Sequence, residues 1–340
     1  MPTAGQLEEL QSKTLKEKIQ ISSARIIEWY TRWNGQVYVS FSGGKDSVVL
    51  LHLARKLYPD VLGVYMDTGL EYPELREFVK KFDNIQWLQP QKYDRKTQSY
   101  KRYTFTEVLK DYGYPIISKE QAAFIGEYRN TKSEKLKDIR LNGNKYGMGK
   151  ISKKYRHLID SDFLIGDKCC DYMKKHPAER FEKETGLKPI IGTMTYESKQ
   201  RESNWKMYGC NAFNKKRPTS SPISFWTEQD ILHYIKEYKL ECAPVYGDLV
   251  ELEDGTLHFT KCQRTGCIFC GFGCQVEDNP NRFQRLAETH PKLYDYCING
   301  GEYNKEGIWQ PSKEGLGMGK VLDYIGVDYK PVKESDENES

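Results

Sequence analysis

Short apolar runs alternate with amphipathic stretches along much of the chain. Val37-Tyr38-Val39-Ser40-Phe41, Val61-Leu62-Gly63-Val64-Tyr65-Met66, Ile85-Gln86-Trp87-Leu88 and Lys188-Pro189-Ile190-Ile191-Gly192-Thr193-Met194 have the length and the β-branched or aromatic content of buried strands. Val48 to Ala54, Glu71 to Lys81 and Thr104 to Lys110 follow helical spacing, the last broken by Gly113-Tyr114-Pro115. Strands and helices alternating in this way predict an α/β fold: a Rossmann-like doubly wound parallel sheet that binds ligands at the carboxyl ends of its strands. Residues 6–33 read as one helix with Ile19, Ile26, Ile27 and Tyr30 on its apolar face, so 1–35 is expected to be a helical cover. The α/β domain is then expected over 36–245, with Thr227 capping a helix that opens at Trp226-Thr227-Glu228-Gln229-Asp230. An irregular, aromatic, cysteine-rich region is predicted for 246–330, and a polar, disordered tail for 331–340.

The first apolar run stops at Ser42-Gly43-Gly44-Lys45-Asp46-Ser47, and a helical pattern begins at once, with Asp46 or Ser47 expected to cap it. Two glycines bring the main chain close to a ligand, Ser42 and Ser47 supply hydroxyls, and Lys45 adds a charge beside the helix N-terminus, which together predict a phosphate site. The glycines are adjacent, so the spacing is not that of a Walker loop. The second run ends in Asp67-Thr68-Gly69, where a carboxylate and a hydroxyl can reach a nucleotide or hold magnesium.

Composition narrows the class. The chain has 340 residues, 38% hydrophobic content, a net charge of +4 and nine cysteines. It has no apolar run long enough for a membrane span, and Met1 to Gln6 lacks the pattern of a signal peptide, so a cytoplasmic protein is expected. Clustered cysteines in such a chain point to metal or thiol chemistry rather than disulfides. Between Arg129 and Arg156 stand ten Lys or Arg against two acids, with Gly143, Gly147 and Gly149 loosening the segment. A solvated mobile insertion, a lid over polyphosphate and a nucleic-acid contact all fit this basic stretch, 129–156.

Ser-Gly-Gly-Lys-Asp-Ser at a strand–helix junction resembles the pyrophosphate loop (PP-loop, HUP-type fold) of the ATP pyrophosphatase superfamily, whose members cut or attack ATP at the α-phosphate. With Asp67 to Glu71, it is similar to the 3'-phosphoadenosine 5'-phosphosulfate (PAPS) reductase family and to the related small subunit of bacterial ATP sulfurylase. Gly192 to Arg201 resembles that family's Gly…Glu-Ser-x-x-Arg segment, and Pro222 to Thr227 also looks like it; the likeness spans roughly 36–275. The resemblance implies that Ser42, Gly43, Gly44, Lys45, Asp46, Ser47, Asp67, Thr68, Gly69, Glu197, Ser198 and Arg201 bind the nucleotide, with Arg201 facing phosphate or sulfate. A plain salt bridge with a nearby acid is the other reading of Arg201.

Cys169-Cys170 with the following Lys and Pro, and Cys267-Ile268-Phe269-Cys270, resemble the two cysteine motifs of iron–sulfur adenylyl-sulfate reductases. That likeness implies a [4Fe–4S] cluster on Cys169, Cys170, Cys267 and Cys270, with Lys168, Lys174 and Lys175 lowering the thiol pKa values. A rival set is the compact Cys262, Cys267, Cys270, Cys274 knuckle, which suits zinc or a cluster. Cys210 reads as a working or a packed thiol, Cys242 and Cys297 as core, and His52 as packed. Sulfonucleotide reductases carry a nucleophilic cysteine in a Glu-Cys-Gly-Leu-His context, and no cysteine follows Cys297.

The leading expectation is therefore attack on the α-phosphorus of ATP with release of pyrophosphate, in which an acceptor oxygen is adenylated. Lys45, Asp46 and Arg201 would be catalytic, Mg2+ would sit near Asp46 or Asp67, and sulfur would pass from a donor through the cluster or a cysteine. The alternatives are reduction of adenylyl sulfate or PAPS to sulfite by a thioredoxin-like reductant, and a non-catalytic nucleotide- or nucleic-acid-binding module using 129–156.

Overall fold

The computed structural model describes residues 4–331, so the polar tail from Lys333 to Ser340 lies outside the described residues. The chain divides into two compact units that are discontinuous in sequence. The first comprises 1–67, 71–89 and 176–265; the second comprises 68–70, 90–175 and 266–340. The basic stretch and Cys267–Cys270 thus share a unit, while residues 246–265 go with the sheet.

The first unit holds a six-stranded sheet in the order Ile85–Leu88, Leu62–Met66, Val37–Ser40, Lys188–Ile190, Thr219–Ser220, Asn211–Ala212. All neighbours are parallel except the last pair. The first two connections step to one side of Val37–Ser40 and the return after Ile190 runs to the other. The sheet therefore has its switch point beside the first strand's carboxyl end, where an α/β protein receives its ligand. Val39, Val49, Leu50, Ala54, Ile190 and Trp226 are fully buried in its core.

The N-terminal stretch is two helices, Ala4–Ser12 and Leu15–Arg32, rather than one. Thr14 and Glu17 form a reciprocal capping box that restarts the helix, a signal stronger than the apolar spacing across it. Its buried face is Lys18, Ser22, Ile26 and Trp29, with Ile27 exposed. The polar members are satisfied: Lys18 pairs with Asp230 at 2.7 Å, and Ser22 accepts from Trp226 Nε1 at 2.9 Å.

Neither Asp46 nor Ser47 caps the helix after the glycine loop. Lys45–Leu57 starts one residue earlier and its cap is Gly44, in extended conformation, while Ser47 turns back to donate to Gly44 O at 2.8 Å. Thr227 does cap Glu228–Tyr238, through a box with Asp230.

The second unit is more regular than its composition suggests. The basic stretch contains the helix Glu134–Asn142, and the cysteine-rich end contains Arg282–Thr289, Pro291–Ile298 and Met318–Tyr324. These helices are too short for periodicity to reveal and are set by caps such as Ser133 and Asn281. Gly271–Phe272 pairs in parallel with Ile116–Ile117 and holds Ile117 at φ 59°, a conformation a β-branched residue rarely takes.

Candidate functional site

The loop at the end of Val37–Ser40 is fixed by its glycines. Gly43 has φ +74°, and a Cβ there would lie 2.7 Å from Val79 Cγ2 and 3.1 Å from Leu75 Cδ2, so only glycine lets the loop lie on the Pro73–Val79 helix. Its amides rest on hydroxyls: Ser42 N on Ser47 Oγ at 3.1 Å, Gly44 N on Ser42 Oγ at 3.3 Å and Lys45 N on Tyr246 OH at 3.0 Å. Hydroxyl partners of this kind are ones an anionic ligand can replace.

Charges of both signs converge at the same helix start. Lys45 is buried, with Nζ 2.6 Å from Gln263 O and 3.1 Å from Glu228 Oε1. Burial raises the Asp46 pKa, opposed by Lys45, Arg264 and Arg201 and assisted by Glu228. Asp46 Oδ1 is buried and has no partner. Glu197 receives both Arg201 and Arg264 and accepts from Met194 N at 2.9 Å. Burial, then the neighbouring Arg264, pushes the Arg201 pKa down, an arrangement relieved by an anion placed against the two guanidiniums. Ser198 caps Lys199–Tyr208 by accepting from Arg201 N at 3.3 Å, which places Arg201 without using the hydroxyl on a ligand. Gly192 passes so near that a Cβ would sit 3.4 Å from Asp46 O.

The orphaned Asp46 Oδ1 fits a magnesium ligand; Asp67 does not. Its Oδ1 accepts from Arg76 Nε at 3.0 Å, and its Oδ2 from Arg76 Nη2 at 2.9 Å and Gln89 Nε2 at 3.2 Å, so both oxygens are engaged. Thr68 and Gly69 belong to the second unit, where Thr68 Oγ1 accepts from Leu70 N at 3.1 Å. Arg264, Tyr246 and Glu228 carry no local signature in the sequence, and they meet the loop only through the fold.

Beyond Arg201 the first unit has a cavity of about 230 Å³ lined by Thr193, Thr195, Trp205, Lys215 and Ser221 among others. Cys210 also lines it and accepts from Ser224 Oγ at 3.4 Å. His52 is a packed residue bonded to Tyr234 OH at 2.9 Å, Cys297 is core, and Cys242 is half-buried against the core.

In the second unit Cys169, Cys170, Cys267 and Cys270 line one small pocket walled by Leu70, Phe105, Pro115 and Met173. A turn of π-helix over Asp171–Lys175 follows the first pair, and a tight turn from Cys270 N to Cys267 O at 3.1 Å shapes the second. Cys169 and Cys170 share a proton: their hydrogen bond, with Lys119 beside it, brings Cys170 down to about 5 and pushes Cys169 up. The cations that act are Lys119 and Lys174. Lys168 and Lys175, expected to serve here, instead pair with Asp167 at 3.3 Å and Asp171 at 2.7 Å. Cys274 turns away to donate to Gly271 O at 3.0 Å, and Cys262, in the first unit, donates to Arg264 O at 3.0 Å.

No three Cys, His, Asp or Glu donors among the described residues converge as a single-ion site. Tetrahedral zinc, with Zn–S of about 2.3 Å, draws its sulfurs to roughly 3.8 Å from one another. Four thiols with apolar walls and nearby lysines are a donor set that a zinc ion or a [4Fe–4S] cluster could take.

A parallel sheet with a glycine loop and a helix N-terminus at its switch point puts the chain among α/β proteins that hold an anion at that edge. It belongs to the phosphoadenosine phosphosulfate reductase domain family, whose profile matches residues 36–126 and 123–271. Similar proteins include two uncharacterized ones from Methanocaldococcus jannaschii. One is 26% identical over 83% of this chain and 53% of its own length, the other 24% identical over 83% and 47%. The chain thus spans about half the length of these relatives. Sulfate adenylyltransferase subunit 2 of Shewanella frigidimarina is 27% identical over 68% of this chain and 66% of its own length. Phosphoadenylyl-sulfate reductase from Candida auris, solved as a phosphate complex, aligns over 75% of this chain and 98% of its own, at 14% identity and a TM-score of 0.36, a likeness too loose to argue from. Among the described residues no helix is long and apolar enough to cross a membrane.

Proposed function

We propose that the first unit binds ATP through Ser42 to Ser47 and directs attack by an acceptor oxygen on its α-phosphorus, so that the acceptor is adenylated and pyrophosphate leaves. One observation carries this reading: Lys45, Arg201 and Arg264 gather around Asp46, whose Oδ1 is buried and unpartnered, at the end of a glycine loop. In the free protein the three cations are neutralised by Glu197 and Glu228. A triphosphate would take over those pairings, the loop amides and hydroxyls holding the β- and γ-phosphates while Arg201 and Arg264 fork onto the transferring group. Asp46 would offer a carboxylate to magnesium, which when bound neutralises charge between phosphate oxygens. Membership of a family with adenylyltransferase and reductase relatives supports an enzyme rather than a passive binder.

Titration calorimetry with ATP and Mg2+, followed by exchange of labelled pyrophosphate into ATP, tests the proposal. Binding weakened about 10- to 100-fold in Lys45→Ala, with exchange in the native protein, is the expected result; no heat with any adenine nucleotide overturns it.

The four-thiol pocket favours a second reading, reduction of adenylyl sulfate or PAPS to sulfite. Cys169, Cys170, Cys267 and Cys270 would hold the cluster, which supplies soft, redox-active metal to the unit. Sulfite formed with thioredoxin and without ATP turnover would select this reading over the first.

A further inference from the structure

The basic stretch of the second unit is built rather than loose. Arg140 Nη1 donates to Gly149 O at 2.6 Å, Ile151 N to Arg140 O at 2.7 Å and Asn144 N to Met148 O at 2.8 Å. Asn144 Oδ1 accepts from Tyr146 N at 2.9 Å and Met148 N at 3.1 Å. Gly143, at φ +95°, packs so closely that a Cβ would meet Gly147 C at 2.8 Å. This hydrogen-bonded loop nevertheless leaves Tyr146 70% and Met148 61% exposed at its tip, while the adjoining helix Glu134–Asn142 buries no residue. Along the same stretch Lys132, Lys135, Lys145, Lys150, Lys153 and Lys154 are exposed, and none is in an ion pair among the described residues. Lys145 lies 4.9 Å from the Tyr146 ring centroid. An ordered loop that presents an exposed ring with a lysine beside it, on a stretch of cations outside any ion pair among the described residues, suits an occupant both anionic and flat.

We propose that this surface binds single-stranded RNA, an unpaired base stacking on Tyr146 and Met148 while the lysines meet the flanking phosphates. Stacking on one protruding ring requires a base face free of its neighbours, the form that RNA loops present, whereas a duplex keeps its base faces stacked inside. The inference does not depend on the ATP reading, since it concerns other residues in the other unit.

Anisotropy of a labelled unstructured RNA oligomer with the full chain, at about 50 to 200 mM salt, tests it. Affinity should fall with salt at about −0.7 in log–log slope per phosphate engaged, and replacing Lys145, Lys150, Lys153 and Lys154 together by Gln should flatten that slope by about 3. Tyr146→Leu should weaken binding roughly 5- to 150-fold with the slope unchanged, and Tyr146→Phe should retain it. Melting temperatures should be unchanged in all of these, because the side chains are exposed. No binding at the lowest salt, tighter binding to duplex or to single-stranded DNA of the same sequence, or equal affinity of the Leu and Phe variants would each overturn the proposal.

Discussion

Asp46 is where ligand binding and stability pull in opposite directions. Burial raises its pKa, so the folded chain holds that proton to higher pH than the unfolded chain does, and the stability tied to it is lost as pH rises through and above the ordinary carboxylate range. Asp46→Asn removes this dependence. We expect the free protein to melt a few degrees higher at neutral pH, with a smaller gain at acid pH, while magnesium-dependent ATP binding falls. Melting curves across pH with parallel calorimetry check both halves, and a neutral-pH melting temperature that drops would refute the assigned burial cost. For the cations, Lys45→Ala and Arg264→Ala should each weaken ATP about 10- to 100-fold, the range for losing a charged hydrogen bond; melting should change little for the exposed Arg264 and fall for Lys45, whose loss leaves Gln263 O without that partner. Lys45 and Asp46 are legible in the sequence because six specified residues stand at one strand–helix junction. Arg264 is not: its segment reaches the loop through contacts such as Lys45 Nζ to Gln263 O, across 218 residues of chain, which no local pattern encodes.

At the scale of elements, the glycine pair separates backbone need from ligand space. Gly43→Ala meets both a positive φ and Val79 at 2.7 Å, so it should lower the melting temperature and abolish ATP binding together. Gly44 has φ −71°, and the nearest atoms its Cβ would meet are the hydroxyls of Thr265, Ser42 and Tyr246 at 3.2–3.3 Å. Gly44→Ala should therefore leave melting nearly unchanged while reducing affinity, and equal destabilisation by both would contradict this division. The four parallel strands predicted from apolar runs are present, Ile85–Leu88 at its expected bounds and the others shorter by one to four residues. What the runs could not convey is where helices begin. Thr14 with Glu17 splits the N-terminal helix, and Gly44 rather than Asp46 starts the helix after the loop, because a cap is decided by one or two hydrogen bonds that hydrophobic spacing does not register. The basic and cysteine-rich stretches hid their short helices for the same reason.

The whole molecule brings together thiols that the chain keeps far apart, and this makes the ligand set testable against its compact rival. Cys169 and Cys170 come from one segment of the second unit and Cys267 and Cys270 from another, and all four line one pocket, while Cys274 bonds to Gly271 O and Cys262 lies in the first unit. The family likeness of two separate motifs points to the first set, and compact spacing offers the knuckle as its rival, since sequence proximity is only a guess at proximity in space. If the pocket holds a cluster, its binding ties together two segments of the second unit that residues 176–265 separate in sequence, and so stabilises that unit. Anaerobically purified protein should then carry iron and sulfide, and chelation should lower the melting temperature of a transition that Lys45→Ala leaves in place. Cys170→Ser and Cys267→Ser should each strip the iron. Cys262→Ser should keep it, and Cys274→Ser should keep it at some loss of stability, because that thiol is buried. Iron retained by Cys170→Ser and lost from Cys262→Ser and Cys274→Ser would instead assign the centre to the knuckle, and stoichiometric zinc without iron would set the cluster aside.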